Sequence, residues 1–161
     1  KITSPEYLGA FGWSNGGLMA GVVFTQRPDL YNAVVVGAPL LDMKRYSKLL
    51  SGASWMGEFG NPDVPEEWEY IKKYSPYHNL SENKSYPEVY FVTSTKDDRV
   101  HPSHARKMAA KMDDMGHKFI YHETIEGGHG AASTNKQQAE MWASIYTYFN
   151  MKLNNKPLTK E

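Results

Sequence analysis

The chain has 161 residues, 40% of them hydrophobic and 22% charged, which is enough to bury the core of a single domain spanning 1–161. Lys and Arg together number 18, as do Asp and Glu, so the formal net charge is zero. That balance argues against a nucleic-acid or anionic-membrane partner, since both need a basic surface. The absence of cysteine excludes disulfides, thiolate catalysis and Cys-based metal sites.

In chain order, Tyr7 to Phe11 is a short apolar run closed by Gly12, and predicts a buried strand. Gly16 to Gln26 is rich in small and apolar residues, stops at Arg27-Pro28, and predicts a helix. Tyr31 to Val36 predicts a second strand, closed by Gly37-Ala38-Pro39. The segment from Leu40 to Leu80 is irregular, with six Gly and Pro residues among aromatics, and predicts short helices, one of them around Pro65 to Tyr74. Glu88 to Ser94 is the third predicted strand. Pro102 to Met115 repeats Ala105, Met108, Ala109, Met112 and Met115 at helical spacing before Gly116. Lys118 to Thr124 predicts the fourth strand, and Asn135 to Lys152 a final amphipathic helix. This alternation implies a parallel sheet with helices on its faces. Functional residues are then expected just beyond the carboxyl ends of the strands.

Three candidates sit there. Gly12-Trp13-Ser14-Asn15-Gly16 matches G-x-S-x-G between a strand and a helix, the setting of a nucleophile elbow. The turn is so sharp that the residues two before and two after the serine are expected to be small. The N–H of Asn15, at the start of the helix, would point toward a developing oxyanion. The third strand runs into Asp97-Asp98-Arg99, where an aspartate could orient an imidazole. The last strand runs into Gly127-Gly128-His129-Gly130, a loop free to swing a ring over the sheet end. Ser, Asp, His is the chain order of α/β-hydrolases. The expected triad is Ser14, one of the adjacent Asp97 and Asp98, and His129. Of the other histidines, His101 and His104 lie three apart at a helix start and could supply half a metal site. Without a third clustered ligand, they are read as solvated or capping. No metal or other cofactor enters this reading.

Gly12-Trp13-Ser14-Asn15-Gly16-Gly17, Ser54-Trp55, Asp97-Asp98-Arg99-Val100 and Gly127-Gly128-His129-Gly130 together resemble the catalytic domain of prolyl oligopeptidase family serine peptidases, over about Ile2 to Leu153. The chain departs from the family at Trp13, where glycine is usual. The resemblance implies that Asp97 rather than Asp98 is catalytic, that Arg99 binds a substrate carbonyl, and that Trp55 stacks on a substrate proline. For Arg99 the alternative is an ion pair with Asp98 or another acid, and for Trp55 ordinary aromatic packing. It also implies more strands before Tyr7, a second oxyanion donor from an upstream tyrosine, and a β-propeller.

The fold expected is therefore an α/β-hydrolase-like parallel sheet, truncated on its N-terminal side. The function expected is acyl-enzyme hydrolysis of peptides after proline. The competing readings are a small esterase with the same triad and a non-catalytic hydrolase fragment. The start at Lys1 reads like the middle of a longer protein. No apolar run reaches the roughly 20 residues that span a bilayer. The compartment stays open, with a cytoplasmic location as the expectation. The strand at Tyr7 to Phe11, apolar and without an upstream neighbour, is expected to pair with a second copy through its exposed edge.

Overall fold

The computed structural model describes residues 2–154. Four strands form one parallel sheet in chain order: β1 (Gly9–Trp13), β2 (Ala33–Gly37), β3 (Val89–Ser94) and β4 (Phe119–Thr124). The main helices are α1 (Asn15–Gln26), α5 (Ser103–Asp114) and α6 (Asn135–Leu153). Three short helices lie between β2 and β3: α2 (Met56–Phe59), α3 (Pro65–Ile71) and α4 (Pro76–Asn79). None of the described helices is long and apolar enough to cross a membrane.

Parallel strands buried on both faces read as continuous apolar runs, and β2 and β3 do. Their alternate side chains go to opposite layers. Val34, Val36, Val89 and Phe91 meet Ala20 and Phe24 of α1 and Met108 and Met112 of α5. Ala33, Val35, Tyr90 and Val92 meet Met141, Ile145 and Tyr148 of α6. Helix α6 begins at a capping box, in which Thr134 accepts from Gln137 N–H and Gln137 reaches back to the Thr134 N–H.

Strand β1 starts and ends two residues later than its apolar run predicts. Pro5 pre-sets the φ of a 3-10 turn over Pro5–Tyr7, which removes Tyr7 from the strand. At the other end Trp13 pairs with Gly37, so the ladder runs through Gly12 to the residue before Ser14. Among the described strands, β1 pairs only with β2 and forms one edge of the sheet. Phe11 and Tyr7 are exposed there.

The β2–β3 connection folds over the carboxyl end of the sheet. Leu40, Met43, Tyr46 and Ile71 form a third apolar cluster with Leu18 of α1 and with Val100, three residues before α5. Trp55 and Phe59 pack against this cluster. A hydrogen bond from Ser51 N–H to the Arg99 carbonyl (3.3 Å) ties the connection to the loop after β3.

His101 and His104 have separate roles. His101 caps, as expected: its Nδ1 accepts the Ser103 N–H at 3.0 Å. His104 is not solvated. It is 2% exposed, and its Nδ1 accepts the N–H groups of Leu41 (3.2 Å) and Asp42 (3.1 Å). Burial pushes its pKa down to about 4, Lys107 and His101 add to this, and Asp42 opposes it. The unfolded chain would protonate this histidine near 6.5. Between 6.5 and about 4 the unfolded state therefore holds more protons, and stability falls as pH falls through that window. The gap corresponds to roughly 3 kcal/mol at most. Urea unfolding at pH 7 and at pH 4.5 should show this loss. His104→Asn, which keeps an acceptor without the titration, should show a smaller pH slope. An unchanged slope would remove His104 as its source.

Candidate active site

All three strand-end candidates lie at the carboxyl end of the sheet. Ser14 stands between β1 and α1 with φ 60° and ψ −119°, a left-handed backbone that a non-glycine residue rarely adopts. Its N–H donates to the Gly37 carbonyl at 2.9 Å, and its carbonyl accepts the Leu18 N–H at 3.1 Å. The strained turn is therefore anchored to β2 before it and α1 after it. A Cβ on Gly12 would lie 1.8 Å from the Gly16 carbonyl oxygen, so Gly12 is obligatory. Gly16 differs from the expectation, because a Cβ there would meet open space. The second crowded position is Gly17, where a Cβ would lie 2.6 Å from the Gly37 carbonyl oxygen.

Asp97 and His129 come together from loops after β3 and β4. His129 Nδ1 lies 2.9 Å from Asp97 Oδ2 and 3.1 Å from Oδ1. The carboxylate is buried, and Oδ1 also accepts the N–H groups of Arg99 and Val100, each at 2.9 Å. Burial pushes the Asp97 pKa up. The hydrogen bonds from His129 and from those two N–H groups outweigh it, so the carboxyl sits below its ordinary value. An ionised Asp97 selects the imidazole tautomer with its proton on Nδ1 and leaves Nε2 as the free base. The neighbouring Asp98 is exposed, and its Oδ1 lies 3.2 Å from where a Cβ on Gly128 would be. The hydrogen bonds of the His129 ring run to Asp97, and the Ser14 hydroxyl is not bonded to it in this state. Proton-transfer contacts of this kind often close only when substrate binds.

A cleft of about 130 Å³ opens at Ser14 and Asn15 and is walled by Leu40, Trp55, Glu58, Phe59 and Arg99. Asn15 is the first residue of α1, so its N–H belongs to the first turn, which has no intrahelical partner. Trp55 both packs on the Leu18–Tyr46 cluster and lines the cleft. Arg99 is exposed and forms no ion pair among the described residues; its backbone N–H helps hold Asp97. Leu40, Glu58 and Phe59 were not anticipated. Phe59 lies four residues after Trp55, a helical spacing, but the irregular composition of this connection hid it.

The sequence and the fold have relatives among known proteins. The family model described as the prolyl oligopeptidase family matches residues 1–156. An uncharacterized peptidase, y4nA, of Sinorhizobium fredii is 53% identical over 153 residues, covering 95% of this chain and 21% of the relative. A prolyl endopeptidase of Elizabethkingia meningoseptica is 38% identical over 150 residues, covering 91% and 21%. The solved structure of a post-proline cleaving enzyme from Rickettsia typhi superposes with a TM-score of 0.93 at 43% identity, covering 97% of this chain and 23% of that one. The chain thus spans about a fifth of the length of the relatives it matches.

Proposed function

The chain belongs to the prolyl oligopeptidase family of serine peptidases, and from that premise we propose that it forms the nucleophile, acid and base of a peptidase that cleaves after proline. The observation that carries the reading is the His129 imidazole held by both oxygens of buried Asp97, at the same carboxyl end of the sheet as a serine in a strained strand-to-helix turn.

In this mechanism Nε2 of His129 takes the Ser14 proton as Oγ bonds to the scissile carbonyl carbon. The Asn15 N–H donates to the oxyanion. Asp97 stabilises the imidazolium without itself becoming protonated. His129 then passes the proton to the leaving amine as the C–N bond breaks. Water, deprotonated by His129, opens the acyl-enzyme and restores Ser14. A peptide substrate is the partner this chemistry requires.

A serine-directed fluorophosphonate tests the reading. Stoichiometric labelling at Ser14 supports it, and failure of the folded chain to label removes it. Comparing a proline-containing peptide with a short-chain ester then separates a peptidase from an esterase.

Trp55 and Arg99 are the proposed specificity residues. An aromatic stack contributes about 0.5–1.5 kcal/mol beyond its buried area. Trp55→Ala should therefore slow hydrolysis of proline substrates roughly tenfold more than that of simple esters. Equal losses on the two substrates would assign Trp55 to packing alone.

A further inference from the structure

Resting on the hydrolase reading above, we propose that Trp13 is a positioning residue for His129, fixing the base loop from the strand that delivers the nucleophile. The indole Nε1–H donates to the His129 carbonyl at 3.0 Å, across 116 residues of sequence.

The loop needs such a tether. His129 is flanked by Gly127, Gly128 and Gly130, and both Gly127 and Ala131 have positive φ. A glycine-rich segment has many accessible backbones. Asp97 pins one ring nitrogen, Nδ1. The position of Nε2, which must reach the serine, still depends on where the backbone of residue 129 lies. The other bonds within the loop hold its neighbours. Ser94 donates to the Gly127 carbonyl, Ala131 N–H to the Gly128 carbonyl (2.9 Å), and Thr124 to the Ala131 carbonyl (3.0 Å). Among the described residues, Trp13 supplies the hydrogen bond made to the backbone of His129 itself.

The indole is also confined. Trp13 is the ladder partner of Gly37, and its six-membered ring lies over that glycine. A Cβ on Gly37 would fall 2.0 Å from Cε3 and 2.5 Å from Cζ3. Beyond Gly37 the ring packs against the α6-side cluster that contains Val35, Val92 and Ala131. One residue therefore joins the two halves of the proton transfer. Its backbone precedes Ser14, and its rigid side chain reaches the base loop. Trp13 is not among the residues that wall the cleft, so its effect should fall on the chemical step and spare substrate binding.

The decisive replacement is β-(3-benzothienyl)alanine at position 13, which keeps the bicyclic ring and lacks the N–H. Trp13→Phe is the genetic counterpart. Loss of one hydrogen bond that places a reacting group should lower kcat roughly tenfold, with KM within about twofold. The downfield proton resonance of the His129 Nδ1–H···Asp97 bond should broaden through exchange. Equal kcat and an unchanged resonance in the benzothienyl variant would overturn the proposal. So would a lowered melting temperature with undiminished kcat, which marks a structural staple only. If Trp13→Phe fails to fold, the near-isosteric variant decides. If the unmodified chain neither labels nor turns over, the hydrolase reading fails. The resonance then decides the positioning claim alone, and a sharp, unshifted signal in the variant ends it.

Discussion

Replacing Ser14 with alanine should abolish fluorophosphonate labelling and lower kcat by about 10⁶, the scale seen when a triad nucleophile is removed. The backbone is the reason for singling out this serine. Ser14 holds φ 60° and ψ −119°, a conformation that costs roughly 1–3 kcal/mol and persists only where its surroundings enforce it. Here the enforcement is visible: the Ser14 N–H is bound to Gly37, its carbonyl to Leu18, and Gly12 presses against the Gly16 carbonyl. Alanine keeps the same backbone penalty, so Ser14→Ala should melt within a few degrees of the parent. Lost turnover then cannot be put down to unfolding. Ser14→Gly goes further. It relieves the left-handed strain, and a gain of 1 kcal/mol raises the melting temperature of a chain this size by about 2–4 °C. An inactive protein that is more stable would show that the strain serves the hydroxyl. Label on another serine, or unchanged turnover in Ser14→Ala, would dismiss Ser14 as the nucleophile.

The parts of the fold that could be read in the sequence are those whose signal is local. Val34-Val35-Val36 and Val89 to Val92 announce buried strands through unbroken apolar runs. The Ala105–Met108–Ala109–Met112 repeat announces the buried face of α5. The triad candidates were legible because each follows a strand, and strand ends share one rim of a parallel sheet. What stayed hidden depends on partners far along the chain. His104 looked like an exposed helix-start residue, and the donors its Nδ1 accepts from, the N–H groups of Leu41 and Asp42, lie 63 and 62 residues away. Trp13 looked like no more than a departure from the family's usual glycine, yet its indole bonds a loop 116 residues on. The cleft wall formed by Leu40, Glu58 and Phe59 comes from a connection without periodicity, so no pattern marks which of its side chains turn inward.

Asp97→Asn should lower kcat by about 10⁴ while leaving the fold in place, the scale seen when a triad aspartate becomes an amide. Oδ1 of Asp97 has two duties, since it accepts the Arg99 and Val100 N–H groups as well as facing His129. An asparagine can keep its carbonyl oxygen on those two N–H groups, which preserves the loop. Its amide NH₂ must then face Nδ1 of His129, where the carboxylate oxygen Oδ2 stood at 2.9 Å. A donor in that place requires Nδ1 to be the acceptor, which moves the imidazole proton to Nε2. Nε2 can then no longer take the proton of Ser14, and the imidazolium loses its counter-charge. KM should change far less than kcat, because Asp97 does not wall the cleft. Stability adds a second readout. The carboxyl of Asp97 has its pKa below the ordinary 3.8 in the folded chain. Its stabilising contribution is therefore complete above that value and is lost as pH falls through the lower, folded one. Asp97→Asn should remove that acid-side component from the unfolding curve. Retention of near-normal kcat by Asp97→Asn, or an equal loss in Asp98→Asn, would move the orienting role off Asp97.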